Sequence, residues 1–313
     1  MSRHRVDPEL LPLIDAGPAL SFSDSAIPGI RQMLESLVAG AAQPSMHPKR
    51  VQAVSTRHPE GVGVLVFDPP DRTNRAAVLQ IHGGGMVLGS AAWSSQANAD
   101  LASELDVLVV SVDYRLAPEN PFPLPQYDCL TAYEWMINHS DELGVDADRI
   151  VIAGESAGGG LAAATALMIR DLALPPPCLQ VLTYPMLDHR TGGNEKPGFA
   201  GTGDFVWTRD MNRYCWGALR GAYGLDDARS GWFSPALAAS LADVAPAFMA
   251  TGALDLFLEE NIEYSRRLCS DGVGVELHVY PGAVHAFDQV PSAAVSRAYQ
   301  RDKRAAISRA LAL

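Results

Sequence analysis

Between residues 149 and 171 the chain passes, with no linker, from an apolar run into a turn and then into a helix. Ile150 to Ala153 form a continuous apolar stretch of strand type, Gly154-Glu155-Ser156-Ala157-Gly158 follows, and Leu161 to Met168 is an Ala-rich helical pattern. A strand without polar alternation is buried on both faces. Such a strand followed at once by a helix belongs to a mostly parallel sheet with helices on either side. The serine between them sits on a sharp turn that lifts its hydroxyl above the sheet, over the positive end of the helix. Glycines two residues before and two after it leave room where side chains would meet neighbouring strands. A plain helix N-cap serine is the alternative meaning of the same residue.

The rest of the chain repeats this rhythm. Strand-like segments fall near 51–58, 62–68, 76–82, 107–112, 149–153, 178–184, 246–252 and 275–280, and helical patterns near 94–105, 125–139, 157–171, 259–270 and 292–312. The first two strands read as an antiparallel hairpin through Pro59-Glu60-Gly61. Two regions break the alternation. Residues 1–45 are helical pieces punctuated by Pro8, Pro12, Pro18, Pro28 and Pro44; residues 186–240 carry Phe205, Trp207, Tyr214, Trp216, Tyr223, Trp232 and Phe233. Both read as segments of a helical cap over the strand ends, where open α/β sheets bind ligands, and residues 46–313 otherwise form the core.

Composition excludes several classes. A formal net charge of −12 argues against nucleic acid, which needs a basic surface. No apolar run approaches the ~18 residues that span a bilayer, and the first residues lack the apolar stretch of a secretory signal. The cytosol is the expected location. Cys129, Cys178, Cys215 and Cys269 are scattered, without the paired spacing of a zinc or redox motif.

A serine nucleophile requires a base, an acid that orients it and donors for the oxyanion. Of eight histidines, only His285 falls just past a strand end, in Tyr280-Pro-Gly-Ala-Val-His285. Asp255 and Asp188 both follow apolar strands; Asp255 lies one strand before His285 and keeps the order Ser, Asp, His, whereas Asp188 reads as a structural loop residue. His82-Gly83-Gly84-Gly85 directly follows another strand, and consecutive glycines let bare amides approach a ligand oxygen. Gly83, Gly84 and Ala157 are therefore the expected oxyanion donors. Asp113-Tyr-Arg-Leu-Ala-Pro-Glu119 reads as an ion-paired loop bracing the site.

These blocks, together and in this order, resemble the hormone-sensitive lipase family of α/β-hydrolase esterases over residues 50 to 290. The resemblance implies an eight-stranded sheet, a cap from the N-terminal segment and the insertion after the sixth strand, and carboxylesterase activity on short acyl esters. It implies no metal or organic cofactor, with Ser156 as nucleophile, His285 as base and Asp255 as its partner. The chain departs from the family where Leu256-Phe257-Leu258 follows Asp255 and where Ala286 replaces a usual glycine, so Phe257 and Phe287 are expected to reshape the pocket. Phe205, Trp207 and Phe287 are the expected substrate contacts. The expected partner is a small-molecule ester, with no nucleic acid or membrane, and a homodimer would form along the last strand's edge. A ligand-binding protein on the same fold, as in plant gibberellin receptors, is the rival reading.

Overall fold

The apolar runs pair into one sheet of eight strands: β1 (Lys49–Ala53), β2 (Val62–Phe67), β3 (Ala77–Ile81), β4 (Leu108–Asp113), β5 (Ile150–Glu155), β6 (Leu179–Thr183), β7 (Ala247–Gly252) and β8 (Val275–Tyr280). The structure, a computed structural model, describes residues 3–16, 20–40 and 44–313. The strand order is β1-β2-β4-β3-β5-β6-β7-β8. β2 runs antiparallel to both β1 and β4, and every other pairing is parallel. The nine α-helices among the described residues are α1 (Leu11–Ala16), α2 (Ile27–Ala39), α3 (Ser95–Leu105), α4 (Leu124–Asn138), α5 (Ala157–Asp171), α6 (Arg209–Arg220), α7 (Ser230–Phe233), α8 (Leu258–Ser270) and α9 (Ala294–Ala310).

Successive residues of the central strands feed two separate cores. Leu79, Ile81, Val110, Ile152 and Leu182 face α4, α5 and α8. Val78, Val109, Val151 and Val181 face α3 and α9. Each such side chain, fully buried, contributes about 1.5–3 kcal/mol of transfer free energy, which is why these strands read as unbroken apolar runs.

Register decides where the loops emerge. Ile81 pairs with Gly154, so His82–Gly85 and Ser156 leave adjacent strands side by side. Gly252 pairs with Tyr280, which sends the loops bearing Asp255 and His285 off the same edge of the sheet.

β1 differs from its expected span. It begins at Lys49 and its pairing stops at Ala53, opposite Val62. Residues 54–61 form a loop instead, closed by the His58 carbonyl accepting the Gly61 amide at 3.1 Å, with His58 stacked on Tyr127. The stretch stops pairing because β2 has no residue left to offer it.

The N-terminal segment meets the insertion between β6 and β7. Phe22 packs edge-on against Trp207 and Tyr214, both at 5.9 Å between ring centroids, and the Tyr214 hydroxyl donates to Asp24 Oδ1 at 3.0 Å. Residues 1–2, 17–19 and 41–43, Pro18 with them, lie outside the described residues. β8 is an edge strand with Val279 exposed. Among the described residues no helix is long and apolar enough to cross a membrane.

Candidate active site

Ser156 joins β5 to α5 with φ 57° and ψ −120°, a backbone conformation that a residue with a side chain adopts only when its surroundings hold it there. They do. Its amide donates to the Thr183 carbonyl at 2.9 Å, and its own carbonyl accepts from Met186 and Gly160, each at 3.0 Å. A β-carbon on Gly158 would lie 2.1 Å from the Ile81 carbonyl oxygen, so only glycine lets α5 start this close to β3.

The Ser156 hydroxyl donates to His285 Nε2 at 2.9 Å, and His285 Nδ1 lies 2.8 Å from Asp255 Oδ2. Asp255 Oδ1 accepts the Phe257 amide at 2.9 Å. With the carboxylate accepting at Nδ1–H, the imidazole is held in the tautomer whose Nε2 lone pair faces the serine. All three side chains are enclosed: Ser156 is 5% exposed, His285 4% and Asp255 1%.

The glycine loop stands against the serine. A β-carbon on Gly83 would lie 3.4 Å from Ser156 Cβ. Gly84, at φ +113°, could carry no side chain, since its β-carbon would lie 2.3 Å from the Leu88 carbonyl oxygen; its own carbonyl accepts the Val87 and Leu88 amides. Among the described residues the amides of Gly83 and Gly84 donate no loop hydrogen bond, and Ala157 is the first residue of α5, where helices leave amides without a partner. The Gly83 backbone and the start of α5 thus border the serine.

Behind this loop His82 is fully enclosed, and burial pushes its pKa down to about 4. It is neutral at pH 7, stacked on Tyr114 at 4.2 Å, with Nδ1 2.8 Å from the Gly83 carbonyl. The Tyr114 hydroxyl donates to the His82 carbonyl at 3.0 Å, Asp113 accepts the Ala91 amide, and Arg115 pairs with buried Asp128. The 113–119 block is an ion-paired brace.

Rings surround the imidazole. Tyr184 lies 4.6 Å, Phe257 5.3 Å and Trp207 5.8 Å from it between centroids. Trp207 comes from the insertion and also packs on Gly85, whose β-carbon would lie 2.6 Å from its Cη2. Its indole Nε1–H donates to Asn212, which donates in turn to the Thr191 carbonyl. Phe205 is buried and belongs to the core shared with α3 and α9. Phe287 departs from expectation. Ala286 takes a left-handed turn at φ +59°, and Phe287 enters the opposite core against Tyr184, Tyr280 and Tyr299 with no exposed surface. It presents no face to a substrate.

Asp188, the second carboxylate considered from sequence, lies apart from His285. It is fully buried, and although burial raises its pKa, Arg190 and Lys196 outweigh that and hold it at about 2. His189 beside it is half-buried against Trp216 and Phe233. Sequence reasoning missed Glu260 and Asn261 in the first turn of α8. Glu260 Oε1 accepts the Leu187 amide at 2.6 Å and Asn261 Nδ2 donates to the Pro185 carbonyl at 2.7 Å, which fixes the loop whose Met186 amide holds Ser156. Only their position one turn after Asp255 could have pointed to them. Among the described residues no three His, Cys, Asp or Glu side chains converge to hold a metal ion.

A protein family with the alpha/beta hydrolase fold matches residues 78–289, a span that runs from the glycine loop's strand past His285. The chain belongs to this α/β-hydrolase family. The hydrolase is 34% identical over 288 residues to Esterase LipI of Mycobacterium tuberculosis, covering 90% of this chain and 88% of that protein. It is 33% identical over 274 residues to an ethyl acetate hydrolase of Pseudomonas putida, covering 84% and 83%. A bacterial heroin esterase of known structure superposes with a TM-score of 0.90 at 33% identity, over 99% of each chain. The hydrolase thus falls among the hormone-sensitive-lipase-like esterases, serine hydrolases that act on carboxylic ester bonds.

Proposed function

We propose that this hydrolase is a carboxylesterase for short acyl chains, with Ser156 as nucleophile, His285 as general base and Asp255 as the group that orients it. The observation that carries the reading is the unbroken hydrogen-bonded line from Asp255 through His285 to Ser156, ending beside uncommitted backbone amides. As Ser156 Oγ attacks the ester carbonyl, His285 Nε2 takes its proton and Asp255 stabilises the imidazolium. The developing oxyanion is received by the amides of Gly83, Gly84 and Ala157; one such donor is typically worth about 10²–10³ in rate. The imidazolium then protonates the leaving alcohol. Water then attacks the acyl carbon as His285 takes its proton, and His285 returns that proton to Ser156 Oγ as the acyl–serine bond breaks and the acid leaves.

The enclosure of the serine supports small substrates, as does likeness to a protein named for ethyl acetate, an ester with a two-carbon acyl group. Residues 1–45 and 186–240 act as the cap, and Trp207 and Phe205 line the acyl side. The substrate is a small-molecule ester, and the chemistry draws on side chains and amides alone. Two copies pair along the β8 edge, and four free cysteines suit a reducing compartment such as the cytosol.

A series of p-nitrophenyl esters tests the reading, with alcohol size varied separately. Acetate and butyrate esters should turn over faster than octanoate and longer chains, and Ser156→Ala should abolish turnover while the fold is kept. A wild-type protein inert towards every ester, or an active Ser156→Ala variant, would remove it.

A further inference from the structure

The helix α2 is barely buried; among its residues only Ile27 is enclosed. Among the described residues its polar anchor to the core is Arg31, which reaches the turn that follows the glycine loop. Arg31 Nε donates to the Val87 carbonyl at 2.8 Å, and Nη2 donates to the Ala117 carbonyl at 2.8 Å. The same guanidinium is bidentate on Glu119, at 2.9 and 3.0 Å. Its partners lie 56 to 88 residues away in sequence. Val87 and Ala117 are themselves tied to the turn that shapes the loop: the Val87 amide donates to Gly84, and the Ala117 amide donates to Met86.

We propose that Arg31 is a positioning residue for ester hydrolysis, coupling the docked N-terminal helix to the geometry of the oxyanion loop. The inference rests on the esterase reading above. Arg31 touches no reacting atom. Its planar fork fixes two carbonyls and a carboxylate at once, a geometry that a lysine ammonium reproduces only in part. Without it, the 84–88 turn loses its outer clamp, and the Gly83 and Gly84 amides lose their aim at the oxyanion. Small misplacements of this kind are expensive in rate. The segment's Phe22 meanwhile packs on Trp207, so one stretch of chain braces both walls around Ser156.

The test compares Arg31→Ala, Arg31→Lys and Glu119→Gln with wild type on p-nitrophenyl acetate, with rates counted per active serine by exhaustive fluorophosphonate titration. Arg31→Ala should lower kcat by about 10- to 100-fold, less than outright loss of an oxyanion donor, with KM nearly unchanged. Arg31→Lys should recover part of the loss. Glu119→Gln leaves both carbonyl contacts and should stay close to wild type. The Ki of a trifluoromethyl ketone, whose serine adduct carries the oxyanion, should rise by the same factor as kcat/KM falls. A merely structural role would leave that Ki unchanged per active site. Wild-type kinetics in Arg31→Ala, or a kcat loss without a matching Ki change, overturns the proposal. If Arg31→Ala does not fold, the same two readouts on Arg31→Lys decide it. An inactive wild-type protein would refute the esterase reading instead.

Discussion

Replacing Asp255 by asparagine changes one atom in a site that leaves little freedom for it. Both carboxylate oxygens face donors: Oδ1 accepts the Phe257 amide and Oδ2 faces His285 Nδ1. An asparagine has one oxygen. Directed at Phe257, it leaves its NH₂ against Nδ1, so the imidazole must carry its proton on Nε2, and Nε2 can no longer accept from Ser156. The opposite orientation restores the tautomer but buries the Phe257 amide without an acceptor, a cost of about 1–3 kcal/mol. That preference alone keeps most molecules in the unproductive tautomer by a factor of roughly 5–150. Loss of the charge that stabilises the imidazolium adds to it. The expected total is a fall of about 10⁴ in kcat, or about 5.4 kcal/mol. Steady-state hydrolysis of p-nitrophenyl acetate measures it, with thermal unfolding as the control for folding. Asp188→Asn serves as the contrast: it breaks the buried pairing with Arg190 and Lys196 and should lower Tm, with kcat per active site little changed. The reasoning fails if Asp255→Asn keeps more than about a tenth of wild-type kcat, far above the ~10⁴-fold loss expected, or if Asp188→Asn produces the larger loss.

Two more outcomes follow from the same geometry. Trp207→Ala removes the ring that packs on both Gly85 and His285, and it should raise kcat/KM for octanoate relative to acetate esters by about tenfold or more, about the ~1–3 kcal/mol that one or two methylenes contribute in a pocket; an unchanged ratio would remove Trp207 from the acyl wall. Burial raises the Glu260 carboxyl from 4.5 to about 8 in the fold. Between those values the native state holds the proton more tightly than the unfolded chain, so this group's stabilisation is complete below 4.5 and is lost as pH rises through about 8. Thermal unfolding from pH 5 to 8 should show wild type losing stability relative to Glu260→Gln, and parallel curves would contradict it.

How much of this was legible in the sequence follows from which residues speak locally. The Ile150-to-Met168 stretch carries its own strand, turn and helix, and the elbow lies where that pattern puts it. The order of strands is a different matter: that β4 inserts between β2 and β3 depends on pairing partners, which identical apolar runs do not specify. The hairpin reading of β1 overran because alternation continued past Ala53 while its partner strand ended. Phe287 misled for a related reason. Two residues beyond His285 it can face either side of the sheet, and the left-handed turn at Ala286, a conformation sequence favours only for glycine, sent it to the far core. Arg31 and Glu260 were silent because a lone charge on a helix shows nothing of partners that fold brings from tens of residues away.

If Ser156 is an activated nucleophile, a fluorophosphonate must capture it covalently. The protein is treated with a fluorophosphonate, digested, and its labelled peptides mapped by mass spectrometry while esterase activity is followed in parallel. One adduct is expected, on Ser156 in the peptide that contains Gly154–Gly158, forming in step with loss of activity and absent from Ser156→Ala. An adduct on another residue that accompanies inactivation, or full activity after Ser156 is labelled, would contradict it.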